Sequence, residues 1–276
     1  LMGDRGQPQI VKETCKGHGE LYTVVQGSGD TYVVNANHIL TVKCDNEIKD
    51  ICVTDLIDYL DEDKGKPRYY GIKNDSVEFK VKGVLMEPYE CGTMGNLGNM
   101  QDYVINASAV RLNFLSGLVD AYGTYNVNNH SFVLDVKRAG VVEKGDVDLV
   151  LFLIRSLNFT AFYNSRRGTI VVYGILSRLN TVKHGENIRR KFRRKFSTKT
   201  RLRIRPIGRG DYYGFELSGN RRYTLGDCTI THNTFAITSM LYQKRHVFPV
   251  GLVFSGSEKV TGYWGKIFPS SFVYPD

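Results

Sequence analysis

Short runs of strand-forming residues, each closed by a turn, fill the first eighty-odd residues and constrain the fold more than any other feature. β-Branched and aromatic residues dominate these runs, which lie at 20–26, 31–35 and 38–43. Runs of this kind between turn residues, such as the glycine-rich stretch 27–30, predict strands joined as hairpins. The same pattern returns late in the chain, at 212–217, 223–225 and 228–231. Both regions therefore predict a β-rich architecture.

The middle of the chain changes character near Pro88. Helical and strand spacing alternate there and predict a helix, a strand, a helix and a strand, at 108–120, 131–137, 145–157 and 168–173. Asn106 or Ser108 is the expected N-cap of the first of these helices. Alternating helices and strands predict an α/β insert within the β-rich context. One further helix is predicted before the insert, at 53–60.

Composition excludes several classes of protein. The 276 residues are 42% hydrophobic and 24% charged, close to globular averages, which excludes wholesale disorder and a fibrous protein. No apolar run reaches the length of a membrane span, so we expect no membrane partner. Five scattered cysteines form neither a disulfide framework nor a zinc pattern, and they indicate a reducing compartment.

The formal net charge of +9 is concentrated in one segment. Residues 187–205 carry ten lysines and arginines and no acid, so the rest of the chain has a net charge of −1. Such a segment predicts a surface that faces a polyanion, and DNA is the expected partner. A solvated linker is the alternative. The DNA-binding candidates are Arg189, Arg190, Lys191, Arg193, Arg194 and Lys195.

Two motifs carry a specific resemblance. The segment that ends in His232-Asn233-Thr234 resembles the C-terminal splice junction of an intein. The segment 29–40 resembles the intein block whose histidine, here His38, acts on the upstream junction. Two motifs in this order, about two hundred residues apart, are far more specific than either alone. A turn and a β-hairpin with a polar end are the alternatives.

The chemistry that this resemblance implies explains the residue types. The side-chain amide of Asn233 can attack its own backbone carbonyl through a five-membered ring, which cleaves the chain without water or a cofactor. His232 assists as a general acid or hydrogen-bond donor. Thr234 offers the hydroxyl that accepts the upstream acyl group as an ester, and His38 activates the upstream amide. No cofactor and no metal is expected.

Departures from the family pattern define the supporting residues. Asn35 replaces the threonine that usually stands three places before the block histidine. Gly214 stands where many inteins place a supporting acid or thiol, and Asp227 or Cys228 is the expected substitute, with turn chemistry as the alternative. The opening nucleophile of an intein is missing before Leu1. We therefore expect a truncated frame, or a split intein whose partners are its own exteins and a short N-terminal fragment in trans.

The insert resembles a homing endonuclease of the LAGLIDADG type. Residues 111–123 are similar to its second motif, 153–159 to the phrase that follows, and 88–98 to a decayed first motif. In that family, the acid before each motif's last glycine holds divalent metals, but Leu97 and Tyr122 occupy these positions here. Neither side chain binds a hard cation, so the resemblance predicts an inactive nuclease.

Residues 234–276 resemble the start of a genome-packaging P-loop ATPase of large DNA viruses. A phosphate-binding loop ends in Gly-Lys-Ser/Thr, so an upstream host segment ending in Gly-Lys would make Thr234 its magnesium ligand after splicing. A helix start at 234–242 and a strand at 246–254 are predicted. The resemblance implies the cytoplasm of a host cell or a viral factory.

The predicted fold is a mainly β Hint horseshoe interrupted by an α/β LAGLIDADG-like domain, followed by a short α/β host fragment. We expect residues 1–86 and 197–233 to form the N-terminal and C-terminal halves of the Hint domain, 87–196 the insert and 234–276 the C-extein. Two functions compete with protein splicing: a DNA-binding, homing-endonuclease-like protein and a nucleotide-hydrolysing enzyme. The lost metal positions argue against the first, and the lack of a Gly-x-x-x-x-Gly-Lys loop argues against the second.

Overall fold

The computed structural model describes residues 1–45, 47–61, 69–74, 77–95, 100–141, 143–185, 198–233, 252–254 and 269–274. The chain divides into two compact units, Leu1–Thr234 and Phe235–Asp276. The larger unit is mainly β and contains a curled antiparallel sheet together with a smaller α/β region.

The first six elements include the three strands and the helix that the sequence predicts, together with two strands, at 47–52 and 69–73, that it does not predict. They are β1 (Val11–Gln26), β2 (Tyr32–Asn35), β3 (Ile39–Cys44), β4 (Glu47–Cys52), α1 (Val53–Asp61) and β5 (Tyr69–Lys73). The glycine-rich turn that separates β1 from β2 contains Gly29, whose φ of +127° is unfavourable for other residues. The predicted helix at 53–60 is confirmed, whereas β1 begins nine residues earlier than predicted because its first half pairs with a distant strand.

The central elements form an α/β region. They are α2 (Pro88–Met94), α3 (Met100–Val104), α4 (Ser108–Tyr122), β6 (Gly123–Asn126), β7 (Ser131–Asp135), α5 (Lys144–Ser156), β8 (Thr160–Asn164) and β9 (Thr169–Tyr173). The two predicted helices and two predicted strands are confirmed. The sequence did not predict α2, α3, β6 or β8, since these elements are short and rich in polar or glycine residues.

The predicted cap of α4 is wrong. Its N-cap is Ala107, which makes no side-chain cap bond, and Ser108 is already helical. The Ser108 amide instead donates to the Glu78 carboxylate at 2.9 Å. The Asn106 side chain joins this helix start to the segment before α2, because it exchanges two hydrogen bonds with the Lys82 backbone. A capping partner thirty residues away is invisible to local sequence rules.

The chain returns to the large sheet through β10 (Lys199–Leu217), β11 (Arg222–Thr224) and β12 (Thr229–His232). The predicted strand at 212–217 is confirmed as the last part of β10, but β10 begins thirteen residues earlier than predicted, within the basic run. Leu202 is buried and Ile204 packs against the core, whereas Arg201, Arg203 and Arg205 are exposed. This alternation is the period of a half-buried strand.

The large sheet has eight strands in the order β11-β12-β5-β10-β1-β2, and β3 joins it by pairing with β4 and β5. Every pairing is antiparallel. β10 pairs with β5 through its first residues and with β1 through the rest. A register shift between Leu21 and Tyr22 bends this long ribbon. We call β1–β5, α1 and β10–β12 the β module.

Elements α2–α5 and β6–β9, which we call the insert, enclose their own core. Four strands in the order β6-β7-β9-β8 pack with α4 and α5 around buried apolar residues. Helices α2 and α4 approach closely through two glycines. A Cβ at Gly92 would lie 2.3 Å from the Phe114 carbonyl oxygen, and one at Gly117 would lie 2.1 Å from that of Tyr89. Only glycine permits this backbone contact.

In the smaller unit, a parallel pair joins β13 (Val253–Phe254) to β14 (Val273–Tyr274). The predicted helix at 234–242 and most of the predicted strand at 246–254 lie outside the described residues. Among the residues that the structure describes, no helix is both long and apolar enough to cross a membrane.

Candidate functional site

A hydrogen bond joins the two sequence motifs. The imidazole Nε2 of His38 lies 3.1 Å from the hydroxyl of Thr231, 193 residues later in the chain. Thr231 is buried in β12, directly before the His232-Asn233 dipeptide. The geometry follows from the sheet, because β3 and β12 both pair with β5. The fold therefore brings His38 to the end of β12.

A tight turn holds His38. The His38 amide donates to the Asn35 carbonyl at 3.1 Å, and the His38 carbonyl accepts from the Val53 amide at 2.9 Å. The Cys52 thiol donates to the Ala36 carbonyl at 3.3 Å, which fastens the turn to the end of β4. The described contact of Asn35 with His38 is therefore made by its backbone carbonyl, and the supporting role of its side chain stays a prediction.

Asn233 is buried immediately after β12, with 5% of its surface exposed. Its backbone amide donates to the Arg221 carbonyl at 2.7 Å. Its side-chain Nδ2 has no hydrogen-bond partner among the described residues. A buried amide nitrogen without a partner is costly and therefore unusual.

His232 occupies the position opposite Arg222 in the β11–β12 pair. Its Nδ1 is buried and has no partner within the described portion of the chain. Burial lowers the pKa of His232 below its ordinary value. The Asp50 carboxylate opposes that shift, and the Arg222 and Arg221 cations add to it. The neutral imidazole is therefore the main form at neutral pH.

Asp50 and Arg222 form an ion pair beside this histidine. The Arg222 guanidinium donates to the Asp50 carboxylate, with a shortest distance of 2.6 Å, and both side chains are about three-quarters buried. The Thr41 hydroxyl donates to the same carboxylate at 2.7 Å. Because the carboxylate is fixed by two partners, its field on His232 is fixed as well.

His38 is more strongly perturbed than His232. Burial, together with the electrostatic interaction with His232, lowers the pKa of His38 to about 4. Its imidazole is neutral at physiological pH, so one ring nitrogen is a donor and the other an acceptor. Two histidines within electrostatic reach of each other therefore lie at the end of β12, where His232 directly precedes the buried Asn233.

Asp227 lies in a buried network at the start of β12. Its carboxylate accepts hydrogen bonds from the backbone amides of Asp30 and Thr229, at 2.9 and 3.0 Å, and from the side-chain amide of Gln26 at 2.9 Å. Lys73 lies 3.9 Å from the same carboxylate. These contacts join the 27–30 turn to β12.

Cys228, the second predicted substitute, is buried with a φ of +66°. Burial and the adjacent Asp227 carboxylate raise the pKa of its thiol to about 12. The thiol therefore stays protonated and is a poor base or nucleophile. At Gly214, a Cβ would lie 2.8 Å from the Cys15 Sγ, on the strand opposite.

Two groups of predicted residues lie outside the described residues. Thr234 follows the last described position of the first unit. The second group comprises the DNA-binding candidates Arg189, Arg190, Lys191, Arg193, Arg194 and Lys195. The described end of the basic run presents Arg201, Arg203 and Arg205 on the exposed face of β10.

Tyr122, at a position that the resemblance assigns to metal binding, and the nearby Asp120 make contacts within the protein. The Tyr122 hydroxyl donates to the Thr93 carbonyl at 3.1 Å. Asp120, two residues earlier, accepts from the Tyr89 hydroxyl and from the Val182 amide, at 2.7 and 2.6 Å. These contacts do not fit a divalent-metal site, which requires carboxylate oxygens free for a cation. Leu97 lies outside the described residues.

Sequence reasoning missed Thr231, Asp50 and Arg222. A threonine one residue before the His-Asn dipeptide gives no signal beyond strand propensity. Asp50 and Arg222 are 172 residues apart and meet only because β11 and β4 belong to one sheet. No local pattern identifies such a pair.

No protein-family model matches the chain, and no curated protein matches it in sequence.

Proposed function

We propose that this chain is a protein-splicing element of the intein class, with cleavage after Asn233 as its central reaction. The observation that carries the proposal is the 3.1 Å hydrogen bond between His38 and Thr231. Because Thr231 directly precedes the His232-Asn233 dipeptide of the second motif, this bond brings His38 of the first motif close to that dipeptide. Neither a solvated turn nor a plain hairpin end requires this convergence.

The proposed reaction is cyclisation of Asn233. Its Nδ2 forms a bond to its own backbone carbonyl carbon, and the bond from that carbon to the Thr234 nitrogen breaks. The proton lost from Nδ2 ends on the new amino group of Thr234. The upstream product ends in a succinimide, which water opens later. Because the reacting atoms belong to one residue, the effective molarity is high, about 10⁵ M or more in favourable cases.

The surroundings of Asn233 favour this reaction. Its Nδ2 makes no hydrogen bond with a described residue that cyclisation would have to break. Its backbone amide is held by the Arg221 carbonyl, which limits rotation of the residue. We assign His232 the role of polarising the scissile carbonyl or protonating the leaving nitrogen, a contribution of roughly 10²–10⁴-fold. His38 acts at the upstream junction, and Thr231 orients it.

Incubation of the full chain at neutral pH, followed by intact-mass measurement, tests the proposal. We expect a fragment that begins at Thr234 and a partner that ends in a succinimide or asparagine at 233. Asn233→Ala should abolish both products. Asn128→Ala, at an exposed asparagine of the insert, should leave the rate unchanged. Lack of cleavage in the wild type, or cleavage that survives Asn233→Ala, would disprove the assignment.

Our proposal extends to the folds of the β module and of the insert. We assign the β module to the Hint horseshoe fold and the insert to the LAGLIDADG type. The close α2–α4 contact through Gly92 and Gly117, with a four-stranded sheet beside it, supports the second assignment. The contacts of Asp120 and Tyr122 support an inactive nuclease. No double-strand cleavage is expected with magnesium or manganese.

DNA binding is a second candidate function. The specific observation is the exposed row of Arg201, Arg203 and Arg205 on β10, which continues the basic run. Each phosphate contact contributes about one unit to the slope of log affinity against log salt. Glutamine at Arg201, Arg203 and Arg205 should therefore flatten the slope by up to about three units. An unchanged slope would assign this row to solvated surface.

The other expectations stay predictions. They include the flanking exteins and a short N-terminal fragment in trans as partners, the P-loop ATPase as host, and the second role of Thr234 as a magnesium ligand.

A further inference from the structure

An arginine of the insert forms a hydrogen-bonded ion pair with an aspartate in the 27–30 turn of the β module. Arg155, near the end of α5, is buried, with 7% of its side chain exposed. Its guanidinium donates two hydrogen bonds to the Asp30 carboxylate, at 2.9 and 3.1 Å. It donates a third to the Ala161 carbonyl at 3.1 Å. A bidentate arginine–carboxylate pair fixes geometry as well as adding stability.

The backbone of the 27–30 turn is hydrogen-bonded to the Asp227 carboxylate. The Asp30 amide donates to Asp227 Oδ2 at 2.9 Å, and the Gln26 side-chain amide donates both to that oxygen and to the Asp30 carbonyl. A Cβ at Gly29 would lie 2.3 Å from the same carboxylate, so only glycine lets the turn pass this close to Asp227. The position of Asp30 therefore determines the position of Asp227.

The connection continues from Asp227 into β12. The other carboxylate oxygen of Asp227 accepts from the backbone amide of Thr229, the first residue of β12, at 3.0 Å. The Thr229 hydroxyl lies 2.9 Å from Asp227 Oδ2 and 3.0 Å from Gln26 Oε1. Removing a hydrogen-bond donor from a buried carboxylate costs free energy. We therefore expect a shift of one donor to shift the Asp227 carboxylate and its other donors as well. Three residues later, β12 ends at His232.

We propose that Arg155 is a positioning residue for cleavage after Asn233, acting through Asp30 and Asp227. The inference rests on the proposed splicing function and adds to it a role for the insert. The cleavage site then depends on a side chain from the insert, although none of its atoms reacts. A misplacement of about 1 Å at a reacting centre can cost about 10²-fold. Loosening one end of β12 is therefore expected to cost about tenfold.

The test measures cleavage after Asn233 in full-length variants. Arg155→Gln and Asp30→Asn should each slow cleavage about tenfold, and the double variant should be no slower, because the two residues act along one path. Arg155→Lys, which keeps the charge but loses the fork, should stay within about threefold of wild type. Amide hydrogen exchange at Asp30 and Thr229 should accelerate in Arg155→Gln.

Arg178→Gln is the matched control. Arg178 also belongs to the insert region and donates to a backbone carbonyl, that of Leu157 at 2.7 Å, but the described contacts do not connect it to Asp30. Wild-type cleavage by Arg155→Gln would overturn the positioning role alone, as would equal slowing by Arg178→Gln or unchanged exchange at Thr229. A wild-type chain that does not cleave would overturn the proposed function itself.

Discussion

The β module and the insert are held together in different ways. Among the described residues, the insert has 24 buried apolar residues in one cluster, whereas the β module has seven. The β module instead buries a hydrogen-bonded polar group around Asp227, and at its surface Thr41 and Arg222 hold the Asp50 carboxylate. Apolar packing fills space closely, but its contacts have no preferred direction. Hydrogen bonds are directional, so they fix the positions of specific donor and acceptor atoms. The residues that we propose for cleavage therefore lie in the region that contains the hydrogen-bonded polar groups.

One histidine from each region shows the same difference between polar and apolar surroundings. His232 of the β module and His184, which follows the strands of the insert, each have one buried ring nitrogen without a described partner. His184 packs edge-on against Phe132, with ring centroids 5.1 Å apart. His232 lies within electrostatic reach of His38, Asp50 and Arg222. The same side chain fills space in one region and belongs to a charged group in the other.

The largest expected effect tests that pair of histidines. His232→Ala should slow cleavage after Asn233 by roughly 10²–10⁴-fold, the usual contribution of a positioned acid–base group. His184→Ala should leave the rate within about twofold, since the described contact of its ring is with Phe132 of the insert. The measurement is the first-order rate of fragment release by intact mass. Equal slowing by both substitutions would show that the two regions do not differ in function.

The second prediction compares glycines within the insert. Gly117→Ala should lower the free energy of unfolding by about 2–3 kcal/mol, because the new Cβ would meet the Tyr89 backbone. Gly145→Ala, at a helical position with open space around it, should be neutral or stabilising by roughly 0.5–1 kcal/mol. Urea denaturation of both variants measures the difference. A stable Gly117→Ala variant would refute the close packing of α2 and α4.

The third prediction concerns acid sensitivity of the β module. The folded-state pKa of His38 is about 4, below the ordinary value near 6.5. Between these values the unfolded chain binds a proton that the folded chain does not, so stability is full above pH 6.5 and falls toward pH 4. The loss is on the order of 3 kcal/mol. His38→Gln should reduce this slope, while Asn37→Gln in the same turn should keep it.

The smallest expected effect concerns the electrostatics of His232. Asp50→Asn should move the pKa of His232 to a lower value, and Arg222→Gln should move it to a higher one, because these charges act in opposite directions. The matched control is Asp55→Asn, at an exposed carboxylate of α1. An NMR titration of the imidazole protons measures the shifts. If Asp50→Asn and Arg222→Gln shift the pKa in the same direction, the described ion pair does not set the field at His232.

Local patterns predicted those elements whose signal is local. The runs that became β2, β3, α1, α4, α5, β7 and β9 are long or regular enough to be recognised alone. The beginning of β10 was missed because arginine dominates its exposed face, although Leu202 and Ile204 keep the period of a strand. The predicted cap of α4 failed because its partner, Glu78, comes from a segment thirty residues earlier.

The order of amino acids alone leads to the residues that we propose for cleavage, since Asn233, His232 and His38 stand in short motifs that are recognisable without any knowledge of the fold. The folded chain was needed to show that His38 meets Thr231 and that Asp50 meets Arg222. It was also needed to show that Arg155 of the insert reaches Asp30. These contacts span 125 to 193 residues of chain. Strand order and register determine these contacts. Both depend on which face of the sheet is buried as a whole, and residues adjacent in the sequence do not specify that.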